Sequence, residues 1–369
     1  MIYRQYGSTG IDVSVIGFGG MRFRDQEDVE QCAGLVKAAY DAGINYFDTA
    51  PGYGKSEDLF GSAFREMSKT RDQKPFWVST KSNKSNPEDI RRDLETSLKR
   101  LNLDHIDFYH MWYVLSLDAY ENRKKKGALK EFEKLRDEGL IKNICISTHM
   151  KGSDIGKVLA DYPFEGVLLG YSALNSAYRG AGISAAAKRG RGVVVMNPLG
   201  GGTIGLHPER FEYVKSRQDE TVVEAALRFL IDDSRITVAL VGLSDEDQLR
   251  EAVSAAEGYK PLPGNFADRI KDASTENLNE LCTSCCYCDD CPQGIRIPQL
   301  MESYNSILLD DNVKQMMTKL TGHWGESPED FLAAECVECG KCEDACTQKL
   351  PIIERLKHIR ALIRRETDR

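Results

Sequence analysis

Apolar residues recur along the chain in two alternating rhythms. Short runs such as "VSVIGFGG", "NYFDTA", "PFWVSTK" and "HIDFYHMW" are almost continuously apolar or β-branched. Each is followed by a stretch of helical period: "DVEQCAGLVKAAYDAG", "SEDLFGSAFREMSK", "NPEDIRRDLETSLKRL" and "KGALKEFEKLRDEG". The alternation continues with "NICIST" before "SDIGKVLADY" and "FEGVLLGYS" before "SAYRGAGISAAAKRG". It ends with "GVVVMNPLGGG" before "ETVVEAALRFLIDD" and "ITVALVGLS" before "DEDQLREAVSAAEG". Continuous apolar strands are those buried on both faces of a parallel sheet. Such units, eight in number, in ~250 residues predict a closed (β/α)8 TIM barrel, with a doubly wound open sheet as the alternative. "MIYRQYGSTGIDVS" ahead of them predicts a hairpin. "GFGGM" lacks the third glycine of a dinucleotide fingerprint, and its helix starts too late, so it reads as a strand-end turn.

Length and charge add limits. The 369 residues suit one barrel-sized unit, 1–265, and a smaller one, 270–369, with "PLPG" near the junction. A net charge of -8 with no basic arm argues against nucleic acid as a partner. No apolar run approaches the ~20 residues of a membrane span. The first residues lack the charged start and apolar run of a signal peptide. The expectation is a cytoplasmic protein whose thiols stay reduced, so that dense cysteine patterns bind metal rather than form disulfides.

Barrel enzymes work from the carboxyl ends of their strands. There the sequence places Asp48, then Tyr53 in "DTAPGYGKSE", Lys81 in "VSTK", His110 in "DFYHMW", and Ser147, Thr148 and His149 in the fifth unit. A Lys ammonium beside a Tyr favours the phenolate, and an Asp beside the Lys keeps the ammonium charged and placed. Such a Tyr can give a proton to a carbonyl oxygen during reduction. "FDTAPGYGKSE", "VSTK", "LDHIDFY" and "IKNICIS", in that order and spacing, resemble the aldo/keto reductase family over roughly residues 1–260. The resemblance implies a carbonyl-reducing site with Tyr53 as proton donor, Lys81 as its activator and Asp48 as the partner of Lys81. It implies contacts to a nicotinamide cofactor from Ser147, Thr148, Asn197, Gly242 and Ser244.

The chain also departs from that family's pattern. The family's catalytic His lies five residues after the Asp of "DFY"; here that position is Trp112, and His110 lies two residues earlier. Strand side chains repeat every two residues, so His110 and Trp112 share a face, with His110 deeper. Three readings are open: His110 reaches the substrate, it is a buried structural residue, or the strand register slips here. Thr148 stands for the family's Asn, Leu168 for its Gln, and Asp245, Glu246 and Asp247 stand where it often has basic residues for the 2'-phosphate of NADP. "GGGTIGLHPER" after Leu199 is a candidate cofactor cover or a plain turn.

Nine of the eleven cysteines lie beyond position 280. The other two, Cys32 and Cys145, sit in apolar patterns and read as small core residues. "CTSCCYCDDCP" supplies Cys282, Cys285, Cys288 and Cys291 at C-x2-C-x2-C-x2-C, leaving Cys286 over. "CVECGKCEDAC" supplies Cys336, Cys339, Cys342 and Cys346 at C-x2-C-x2-C-x3-C, followed by Thr347 where ferredoxins have proline. Two such runs predict two [4Fe–4S] clusters, with a pair of four-cysteine zinc sites as the alternative. In two-cluster ferredoxins the fourth Cys of each run serves the other cluster. By that logic Cys282, Cys285, Cys288 and Cys346 hold one cluster, and Cys291, Cys336, Cys339 and Cys342 the other. The segments between the runs have helical period, so the C-terminal part is expected to be an α-helical ferredoxin-like module. The tail extends the family resemblance to its iron–sulfur branch.

The expected function is an iron–sulfur oxidoreductase that reduces a carbonyl or similar group on a small-molecule substrate. Ferredoxin or a similar electron carrier is the expected donor, NADH, which lacks the 2'-phosphate, is nearly as strong an alternative, NADPH a poor one, and a flavin hub a further option. The alternative is a non-catalytic redox sensor built on a degenerate reductase barrel.

Overall fold

The computed structural model describes residues 1–174, 176–273 and 280–367. They form two compact units, Met1–Leu199 with Val214–Arg269, and Gly200–Tyr213 with Ile270–Arg369. No helix among the described residues is long and apolar enough to cross a membrane.

The first unit opens with an antiparallel hairpin, β1 (Tyr3–Gln5) and β2 (Asp12–Ser14). Eight strands follow: β3 (Ile16–Gly19), β4 (Tyr46–Asp48), β5 (Trp77–Ser82), β6 (Ile106–Val114), β7 (Ile141–Thr148), β8 (Gly166–Gly170), β9 (Gly192–Met196) and β10 (Val238–Gly242). All neighbours are parallel, and β10 pairs with β3, so the sheet closes into a barrel. The helical segments of the sequence are α1 (Val29–Asp41), α2 (Ser56–Met67), α3 (Pro87–Leu101), α4 (Leu117–Lys125), α5 (Ala128–Asp137), α6 (Gly152–Asp161) and α7 (Ser176–Ala187). After α8 (Thr203–Leu206) come α9 (Val222–Asp232), α10 (Glu246–Glu257) and α11 (Phe266–Ala273). Helix starts carry their own signals. Asn86 accepts from the Asp89 amide ahead of Pro87 in α3, and Thr221 with Glu224 forms a capping box on α9.

Where the sequence predicts one helix after the fourth barrel strand, two form. Gly127, at φ 90°, separates α4 from α5, a left-handed conformation that glycine adopts without a Cβ penalty.

Inward residues alternate along each barrel strand. Toward the amino ends of the strands, Tyr46, Phe108, Cys145, Leu168 and Val194 pack around Tyr6. Tyr6 comes from the hairpin and is fully buried, its ring centroid 4.0 Å from that of Phe108. A Cβ at Gly166 or Gly192 would lie within 2.1–2.3 Å of Tyr6, so two glycines make room for this stopper. Toward the carboxyl ends the inward positions turn polar: Asp48, Lys81, His110 and Ser147, each at most 1% exposed.

The second unit is helical, with α12 (Ile297–Asp310), α13 (Val313–Thr318), α14 (Pro328–Ala333), α15 (Lys341–Ala345) and α16 (Ile352–Thr367). Its core joins Leu300, Met301 and Tyr304 of α12 to Leu356, Ile359 and Ile363 of α16, with Cys282 and Cys346 at its margin. Gly200–Tyr213 belongs to this unit. Arg210 bonds Asp310 at 2.6 Å, and a Cβ at Gly201 would lie 2.3 Å from the Thr283 carbonyl oxygen. The "GGGTIGLHPER" segment therefore packs with the cysteine-bearing residues.

Candidate functional site

Asp48 ends β4, and Lys81 lies near the end of β5. Strand register aligns Lys81 with His110 of β6. The Lys81 ammonium donates to Asp48 Oδ1 and to the Thr49 carbonyl, both at 2.6 Å, and neither Lys81 nor Asp48 is more than 1% exposed. Ser79, two residues before Lys81 and on the same face, donates to Asp48 Oδ2 at 2.6 Å. Both oxygens of this buried carboxylate are thus held, which suits a fixed position better than a mobile role. Burial draws the Lys81 pKa below its ordinary value, while Asp48 and then Glu57 push it back up.

Tyr53 stands on the loop between β4 and α2, half-buried, with its ring centroid 5.2 Å from the Lys81 ammonium. Trp112 meets that ring edge-on at 5.8 Å, and a Cβ at Gly52 would lie 2.8 Å from the indole. Arg123, 9% exposed on α4, donates to the Trp112 carbonyl. Trp112 therefore sits at the mouth beside Tyr53. His110 lies two residues earlier on β6, fully buried, and the register of β6 against β7 shifts between Met111 and Val114. Burial, and secondarily the charge of Lys81, pulls its pKa down to about 3, so it is neutral at physiological pH.

Two participants carry no signal in the sequence. Ser79 reads as an ordinary strand residue until its partner is known. Glu57 is 1% exposed at the start of α2 and accepts from Thr80 Oγ1 at 2.8 Å. Its spacing of four from Tyr53 in "YGKSE" is visible, but a charged residue near a helix start is usually solvated, and only the fold shows this one buried.

Ser147, Asn197, Gly242 and Ser244 lie at or just beyond the carboxyl ends of β7, β9 and β10, on the same rim. Their neighbours fit a nicotinamide dinucleotide with a 2'-phosphate poorly. The Thr148 hydroxyl is spent on the Val114 carbonyl at 2.7 Å. Leu168 faces the apolar barrel interior. Asp245 caps α10 itself, accepting from the Gln248 amide at 3.0 Å, and pairs with exposed Arg24 at 2.9 Å. The amides where a phosphate would gain most from a helix N-terminus are already met by a carboxylate.

All eleven cysteines are free thiols. Cys32 and Cys145 are buried in the barrel unit, and Tyr6 Oη lies 3.6 Å from Cys145 Sγ. In the second unit Cys282, Cys285, Cys288 and Cys346 line one small cavity, together with Cys286, Met301 and Ile352. Cys291, Cys336, Cys339 and Cys342 line another, with Ile297, Ile353 and Leu356. Backbone amides of Ser284 and Leu350 approach Cys282 Sγ and Cys346 Sγ, each at 3.4 Å. Ser284, Cys286 and Glu338 take left-handed φ values of 51–61°, which fold the loops back around the thiols. Among the described residues, no three His, Cys, Asp or Glu side chains converge tightly enough to hold a single metal ion.

A model described as "Aldo/keto reductase family" matches residues 15–274. An "Uncharacterized oxidoreductase YrpG" of Bacillus subtilis is 27% identical over 304 residues, spanning 70% of this chain and 91% of that protein. An "L-galactose dehydrogenase" of Arabidopsis thaliana is 27% identical over 294 residues, 70% of this chain and 89% of the relative. Among solved structures, the aldo-keto reductase AKR11C1 from Bacillus halodurans in its holo form aligns with a TM-score of 0.63. It is 23% identical and covers 74% of this chain and 96% of its own, a likeness of fold.

Proposed function

The chain belongs to the aldo/keto reductase family and is an oxidoreductase, and from that premise we propose that it reduces a carbonyl or similar polar double bond at Tyr53 with electrons supplied through two iron–sulfur clusters. The observation that carries the proton chemistry is the buried Asp48–Lys81 pair with the ammonium 5.2 Å from the Tyr53 ring. Reduction takes two electrons, drawn one at a time from the external donor, and two protons: a substrate carbonyl at the mouth would take the first on oxygen from the Tyr53 phenol and the second on carbon once Tyr53 has been reprotonated from solvent. The phenolate left behind is stabilised by the Lys81 ammonium, and Asp48, held by Ser79, keeps that ammonium in place. Trp112 presents an apolar edge over the same space and excludes water from it.

The thiol sets support the cluster reading. One cavity is lined by Cys291, Cys336, Cys339 and Cys342 and the other by Cys282, Cys285, Cys288 and Cys346 with Cys286 beside them, and their spacing along the chain is that of [4Fe–4S] ligands, in which separate irons each take one thiolate. Clusters bound there would supply single electrons. The residues would be those of the two cavities, one set Cys282, Cys285, Cys288 and Cys346, the other Cys291, Cys336, Cys339 and Cys342, in a ferredoxin-like module. No step is assigned to a nicotinamide, because Thr148, Leu168 and Asp245 do not suit one. A one-electron carrier such as reduced ferredoxin is the donor this arrangement favours.

The test is Tyr53→Phe in anaerobically purified protein. Loss of a positioned general acid lowers rates by ~10²–10⁴-fold, so turnover of carbonyl substrates should fall by that factor while iron and sulfide content stays that of the parent. Unchanged turnover would remove Tyr53 from the chemistry. Zinc without sulfide in the parent protein would remove the clusters.

A further inference from the structure

Arg355 is an unusual residue to find in the second unit. It lies on α16, yet it is only 3% exposed. Buried guanidinium groups are costly unless they are paired. Its carboxylate neighbour among the described residues, Glu280 at 3.4 Å, has a side chain 56% exposed and so is largely hydrated. The other contacts are neutral: the Glu280 carbonyl at 2.8 Å and the Tyr304 ring at 5.4 Å. Among the described residues the positive charge is thus only partly compensated.

Its surroundings lead to one of the cysteine cavities. Glu280 is two residues before Cys282. Tyr304 precedes Asn305, whose side chain clamps Cys282 by accepting from its amide and donating to its carbonyl, both at 2.9 Å. Ile352, one helical turn before Arg355 and on the same face of α16, lines the cavity of Cys282, Cys285, Cys288 and Cys346. Burial lowers the guanidinium pKa, and Glu280, Tyr304, Cys282 and Cys346 raise it again.

We propose that Arg355 is the charge partner of the cluster held by Cys282, Cys285, Cys288 and Cys346, and that it raises the reduction potential of that cluster alone. The inference rests on the cluster reading above. A thiolate-bound cubane is anionic, and taking up one electron from a one-electron donor adds another negative charge. Charge and solvent exposure around a cluster set its potential. A fixed, poorly hydrated cation favours the reduced form, so electrons shared between the two clusters come to rest on this one. Arg355 acts as a positioning charge and does not touch the reacting substrate.

The experiment is an anaerobic redox titration of the full-length holoprotein, with cluster spectra recorded by electron paramagnetic resonance and iron and sulfide measured for each variant. Arg355→Gln should lower the midpoint of one cluster by a tenfold change in its oxidised-to-reduced ratio or more, ~59 mV for one electron, and leave the other in place. Arg355→Lys should keep the parental midpoint. Glu280→Gln, at an exposed side chain, should shift the same cluster in the opposite direction, and this arm decides the matter if Arg355→Gln fails to assemble its clusters. Unchanged midpoints in Arg355→Gln and Glu280→Gln, or equal shifts of both clusters, would overturn the assignment. A parent protein without iron and sulfide would instead overturn the cluster reading beneath it.

Discussion

His110 is a buried titratable group whatever its part in the chemistry. Strand register sets it beside Lys81, and it is fully buried. A folded-state pKa of about 3 against 6.5 means that the unfolded chain binds a proton there first as pH falls. The stability His110 contributes is therefore complete well above pH 6.5 and is lost as pH drops toward 3. By pH 5 the loss from this one group is ~2 kcal/mol. His149, also buried and held at about 3, adds a loss of the same sign. His110→Leu should make the urea midpoint less sensitive to acid between pH 7 and 5, by roughly the His110 share. An equal pH slope in parent and variant would show that His110 is already protonated or hydrated in the folded protein. Asp48, Tyr53, Lys81 and His110 are candidates legible in the sequence because each stands on or just after a barrel strand in a recognisable run. The supports were not: Ser79, Glu57 and Arg123 acquire roles only through partners far away in the chain.

Helix α10 begins with Asp245, Glu246 and Asp247, and the first of these caps the helix. The cap contributes ~1 kcal/mol to the helix start, and the same carboxylate repels a phosphate brought to that place. Asp245→Ser keeps a capping oxygen and removes the charge. It should tighten NADPH binding by about tenfold, equivalent to ~1.4 kcal/mol, with a smaller gain for NADH, as read by fluorescence titration. Equal gains for both nucleotides would mean that the 2'-phosphate lies elsewhere. Elements of this kind were readable where periodicity was strong. The eight strand–helix units appear as predicted because short Val- and Ile-rich runs buried on both sides leave little ambiguity. The segment Gly200–Tyr213 carries no readable element, since four glycines and a histidine–proline pair have no period. Its membership of the second unit depends on contacts such as Arg210 with Asp310.

Two compact units built on different principles should fail separately. The barrel unit is held by its own closed sheet and apolar layers, whereas the second unit gathers cysteine-bearing loops around two small cavities. On the proposed cluster reading, iron removal by a chelator under reducing conditions should lower one calorimetric transition and leave the other nearly unmoved, because a bound cluster would stabilise only the unit that holds it. A single transition shifting as a whole would show that the units unfold together. Truncation at residue 269 would be a poor substitute for this experiment, since it would strip Gly200–Tyr213 of the residues it packs with.

The Tyr6 stopper has a consequence for traffic. With the hairpin ring seated against Phe108 and Tyr46, the barrel has a solid floor, and among the described residues the Tyr53 end is the doorway this unit offers. Whatever leaves after reduction must back out along the path by which the next molecule arrives. Product and substrate should therefore exclude each other from the oxidised protein, as read by displacement in equilibrium binding. Simultaneous binding of both would mean a second route into the barrel. On this view an aromatic ring some distance from the chemistry sets the queueing order of the enzyme.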